Sequence, residues 1–138
     1  MNVFLSYAVE PFDTPIAARL RAVAAAYDIS ILLPDRHQIL PNGLSIDTQT
    51  KIGSCDAVIA LITRSAPNYL VNVVNLELQA ATQSHKPIIA LIEQGVQIQA
   101  AAGTQLVYFD RFEPAAAHEK PLVDALATYG SNNNGSRA

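Results

Sequence analysis

The sequence predicts an α/β domain built on an open, five-stranded parallel sheet with helices on both faces, and three observations predict it. Short apolar runs rich in β-branched residues recur at 3–7, 29–33, 57–62, 88–92 and 106–109. Near-continuous apolarity over so few residues suits strands that are covered on both sides. Helix-like segments separate the runs, and parallel neighbours need such crossovers because tight hairpins cannot join them. The chain has 138 residues, half of them apolar and 15% charged, which suits one core.

In order, the first strand is Val3-Phe4-Leu5-Ser6-Tyr7. Asp13 or Thr14 caps the helix that follows, with Pro15 in its first turn and Ile16, Leu20, Val23 and Ala24 on one stripe. A shorter helix is expected at 45–52, a longer one at 68–84, a further one near 97–102 and the last at 121–129. The α/β domain is expected to span 1–129. Residues 130–138, rich in Gly, Ser and Asn, have nothing to bury and are expected to form a disordered tail.

Composition removes several classes of function. A formal net charge of −3 offers no overall attraction to nucleic acid or an anionic membrane, and neither is expected as a partner. The N-terminus lacks a basic, apolar export signal and no run could span a bilayer, so a cytoplasmic protein is expected. Cys55 is the single cysteine and lies beside an apolar run, where a thiol acts as a small hydrophobe. His37, His85 and His118 are far apart and no Cys/His spacing matches a zinc site, so no metal is expected. No G-x-G-x-x-G follows the first strand and no Walker A sequence is present. In open parallel sheets ligands bind outside the carboxyl ends of the strands, here the loops 6–13, 34–43, 63–67 and 93–95.

The helix at 68–84 carries an anomaly. Counted at about 100° per residue, Asn72, Asn75, Gln79, Thr82 and Gln83 gather on one side and Leu70, Val73, Val74, Ala80 and Ala81 on the other. Glu77 falls near the middle of the apolar side. An unpaired carboxylate buried there is costly, so it is expected to be paired or to open into a cleft. A structural reading turns Glu77 outward at the helix margin or pairs it with a base such as Arg64. A functional reading makes it the centre of a site.

Six segments together resemble the TIR (Toll/interleukin-1 receptor) family, from Val3 to about Tyr129. They are Val3-Phe4-Leu5-Ser6-Tyr7-Ala8 as first strand, Pro34-Asp35 after the second strand, and Leu40-Pro41-Asn42-Gly43 in the position of the BB loop. The others are Ser54 to Ile62 as third strand, and Leu76-Glu77-Leu78-Gln79-Ala80, similar to the Glu-Leu-x-x-Ala of the helix that carries the catalytic glutamate in enzymatic members. Lys86-Pro87-Ile88-Ile89-Ala90 follows as fourth strand. The resemblance implies a flavodoxin-like fold and one of two functions. Many members cleave the nicotinamide–ribose bond of NAD to give linear or cyclised ADP-ribose, in bacteria as part of antiphage defence that signals to a separate effector protein. Others are interaction modules, and homo-oligomers through TIR–TIR contacts are implied for both. Val71 and Val73 stand where members often carry Ser and Trp, and Asn42 splits the Pro-Gly of the BB loop.

For NAD as substrate, with no cofactor, one carboxylate suffices. The nicotinamide is a pyridinium that departs neutral, so no general acid is needed, and an anionic side chain can stabilise the positive charge growing on the ribose. Glu77 takes that role. Ser6 and Tyr7 are candidates for ribose or nicotinamide, Arg36, Arg64 or Ser65 for the pyrophosphate, the Pro41, Asn42 and Gly43 turn for a contact over the substrate, and Val73 for the wall beside Glu77. A third reading is an enzyme like the nucleoside 2-deoxyribosyltransferases, in which the glutamate is a nucleophile on the sugar.

Overall fold

The computed structural model describes residues 1–9, 14–35, 43–97 and 103–110. Within them the chain runs β1 (Asn2–Ala8), α1 (Thr14–Ala26), β2 (Ser30–Leu32), α2 (Ile46–Ser54), β3 (Ala57–Ile62), α3 (Asn68–Gln83), β4 (Ile88–Glu93) and β5 (Gln105–Phe109). All five strands pair in parallel in the order β2-β1-β3-β4-β5. This is the open, flavodoxin-like sheet expected from the apolar runs. The order reverses between β1 and β3, so the switch point lies over those two strands. Asp13, residues 98–102, the helix expected at 121–129 and the tail at 130–138 lie outside the described residues.

The central strands β3 and β4 are buried at every position, which is what two covered faces require of them. Alternate residues serve opposite layers. Val3, Leu5, Ala57, Ile59, Leu61, Ile89 and Leu91 pack beneath Leu20 and Ala24 of α1. Phe4, Val58 and Ile88 pack with Ile52 of α2 and Ala81 of α3, and Ala8, Ala60, Ile62, Ala90 and Ile92 pack with Val74 of α3. Helices therefore cover both faces, with α1 on one side and α2 and α3 on the other.

The helix ends show why the strands begin where they do. Asp28 (φ 61°) and His85 (φ 57°) adopt the left-handed backbone just after α1 and α3. The chain then closes on the helix through Ile29 N–H to Ala24 O at 2.9 Å and Lys86 N–H to Ala81 O at 3.0 Å, satisfying late carbonyls. Ser45 caps α2, its hydroxyl accepting the N–H of Thr48 at 3.1 Å. The edge strand β2 is shorter than the apolar run at 29–33. Lys51 Nζ donates to Leu33 O at 2.9 Å and Asp35 N–H donates to Thr48 Oγ1 at 3.1 Å, so α2 takes up the backbone that the ladder leaves.

Candidate functional site

α3 buries the face the helical count selected. Asn72, Asn75, Gln79, Thr82 and Gln83 are exposed, while Val74, Glu77 and Ala81 are buried. Glu77 is 1% exposed. Its partner is Ser6, whose Oγ donates to Glu77 Oε1 at 2.6 Å. That distance is typical of a hydroxyl held by a carboxylate. Ser6 is itself wholly buried, and the bond to Glu77 gives its hydroxyl an acceptor there.

Register explains how a carboxylate fits there. Ser6 stands opposite Ala60, and Ala60 opposite Ala90, so three small side chains cross the sheet in one row on the α3 side. On one side of the row lie Phe4, Val58 and Ile88, and on the other Ala8, Ile62 and Ile92. The Ser6–Glu77 pair occupies the seam between these two apolar clusters. α3 enters from the carboxyl edge, and helical side chains lean toward the helix N-terminus, so Glu77 is tilted toward that edge. Ser6 lies on β1 at the switch point, two residues before the strand ends.

The other candidates divide. Tyr7 follows Ser6 and so turns to the opposite face, where it packs against the α1-side cluster. Arg64 does not pair with Glu77, as the structural alternative had it, but with Glu93. Ser65 is exposed, and Val73 and Gly43 are half-buried. Arg36, Pro41 and Asn42 lie outside the described residues, as do most of the loops expected at 6–13 and 34–43. Asp56 serves the sheet, its Oδ2 accepting the N–H of Asn2 at 2.8 Å. Cys55 is buried, its Sγ donating to Ile52 O at 3.1 Å, and burial pushes the thiol above its ordinary range.

Glu93, expected in the loop 93–95, is the last residue of β4 and is not among the candidates that the sequence offers. It is 1% exposed. An acid ending an unbroken apolar strand was the available signal. Among the described residues no cluster of His, Cys, Asp and Glu is placed to hold a metal ion, and no helix is long and apolar enough to cross a membrane.

The fold and the pair define an open α/β protein with a buried carboxylate at the sheet's switch point. Among solved structures, the CMP N-glycosidase BcmB of Clostridium botulinum is similar, with a TM-score of 0.63 and 16% sequence identity over 94% of this chain and 99% of that one. At that identity the likeness is one of fold. No family model matches the chain, and no curated protein matches it in sequence.

Proposed function

We propose that the chain cleaves the N-glycosidic bond of a nucleotide, with Glu77 as the carboxylate that meets the anomeric carbon. The observation that carries this is the Glu77 side chain, buried to 1% exposure and held by the Ser6 hydroxyl at 2.6 Å beside the switch point. A structural acid has little reason to occupy an apolar seam, since apolar residues of similar volume are often as stable there or more so. The similar fold of a CMP N-glycosidase supports the same reaction class.

In this reading Ser6 holds Oε1 of the carboxylate that meets the sugar. As the bond from C1′ to the base nitrogen breaks, its electron pair leaves with the base. Glu77 either bonds to C1′ as a nucleophile, to be displaced by water in a second step, or stabilises the cationic sugar while water adds directly. The nucleoside 2-deoxyribosyltransferase-like route is the first of these. NAD, the nucleotide that the TIR resemblance implies, asks less of the protein. A pyridinium leaves as neutral nicotinamide, whereas cytosine needs a proton donor.

Incubation with CMP and with NAD at high protein concentration, followed by chromatography, tests the proposal. Release of cytosine or nicotinamide is expected, reduced about 10²–10³-fold or more in Glu77→Gln. Folded protein that releases neither base, or a Glu77→Gln variant as active as the wild type, would overturn it. A sugar adduct trapped on Glu77 would select the nucleophilic route.

A further inference from the structure

Glu93 carries the second buried carboxylate of the described residues, and it serves a different neighbour. Two residues after Leu91, it projects to the α1 side of the sheet, away from Glu77. Its Oε1 accepts the backbone N–H of Arg64 at 2.8 Å, and its Oε2 lies 3.6 Å from Nε of the same residue. One carboxylate therefore grips both the main chain and the side chain of Arg64, just past the end of β3. Gly95 gives the arginine room. It has a φ of 97°, and a Cβ there would stand 3.2 Å from Arg64 Cδ and 3.9 Å from Nη1.

An arginine present only to neutralise Glu93 would be expected to share its burial. Arg64 instead keeps 53% of its side chain exposed, while Glu93 is 1% exposed. Nε is the guanidinium nitrogen nearest the carboxylate, which leaves the two Nη groups as a planar fork at the carboxyl edge of the sheet. Such a fork matches the oxygens of a phosphate. Thr63, the residue before it, holds a buried hydroxyl with no hydrogen-bond partner among the described residues.

We infer that Arg64 takes the phosphate of the nucleotide, and that Glu93 and Gly95 are positioning residues that aim its fork. This rests on the reading of the chain as a nucleotide N-glycosidase and adds what that enzyme discriminates: a nucleotide from the nucleoside that lacks the phosphate. Preorganisation is the physical point, because an arginine already held in place loses less freedom when the anion arrives.

Ribose 5-phosphate and ribose are suitable probes, since they carry the proposed contact whatever the base. Their affinities are compared by NMR titration for the wild type, Arg64→Ala, Arg64→Lys and Glu93→Gln. The wild type is expected to favour ribose 5-phosphate by about 10- to 150-fold, the range for a hydrogen bond to a charged group. Arg64→Ala abolishes the preference, and Arg64→Lys, with charge but no Nε to be gripped, recovers only part of it. Glu93→Gln keeps an acceptor for the Arg64 N–H and retains an intermediate preference. Equal affinity for both sugars in the wild type, no saturable binding of ribose 5-phosphate, or an unchanged preference in Arg64→Ala overturns the inference. The two readings fail separately. If ribose 5-phosphate binds through Arg64 but no base is ever released, the phosphate site stands and the glycosidase falls. If base is released equally from nucleotide and nucleoside, with Arg64→Ala changing neither, the reverse holds.

Discussion

Removing the Ser6 hydroxyl tests the buried pair directly. Ser6→Ala deletes one oxygen from a site that is wholly buried and leaves Glu77 Oε1 without the donor now 2.6 Å away. A buried polar group that loses its partner costs about 1–3 kcal/mol, more toward the upper end when the group is charged. Taking about 2 kcal/mol, and roughly 3–5 °C per kcal/mol for a domain between the small and medium size classes, Tm falls by roughly 6–10 °C. The same change made in a Glu77→Leu background removes a hydroxyl that no longer has its acceptor, so it costs within about 0.5 kcal/mol of nothing, and the coupling is about 1 kcal/mol or more. Urea unfolding of the wild type, both single variants and the double variant measures it. Equal costs for Ser6→Ala in the two backgrounds would show that the hydroxyl does not support Glu77, and the chemistry built on that support would lose its basis. If the coupling is found, Ser6→Ala should lower kcat while KM changes little, since Ser6 acts through Glu77 rather than on the substrate.

Two further outcomes follow from the packing. Burial holds the Cys55 thiol above its ordinary range, only partly offset by the Lys86 ammonium, so the folded chain keeps that proton where the unfolded chain releases it. Stability should therefore decline as pH rises past the ordinary thiol value of about 8.5; the urea midpoint of the wild type should fall relative to that of Cys55→Ala between neutral and alkaline pH, and parallel curves would contradict this. Ser45→Ala removes the side-chain cap of α2 and should cost about 1 kcal/mol in urea unfolding. An unchanged midpoint would mean that the bond to Thr48 N–H contributes nothing.

Among the described residues, the five strands and three helices were legible in the pattern of apolar runs. Five apolar runs became five parallel strands, because a run short enough for one pass and apolar on both faces has few other places to go. The helical count around Glu77 also survived folding: the five polar residues chosen as the outer face are exposed, and Glu77 is buried with Val74 and Ala81. Periodicity is a local property, so it can be read without knowing what the helix lies against.

Tertiary structure alone decided the partners. Ser6 and Glu77 are 71 residues apart, and their meeting depends on the register that lines Ser6 up with Ala60 and Ala90. Nothing in the residues around Ser6 marks it as a carboxylate's donor rather than a ligand contact. Arg64 reached Glu93 rather than Glu77 because β3 and β4 end side by side. Composition and period fix which side of an element is hidden. Which hidden groups touch is set by strand order and register, and those emerge only when the whole sheet is assembled.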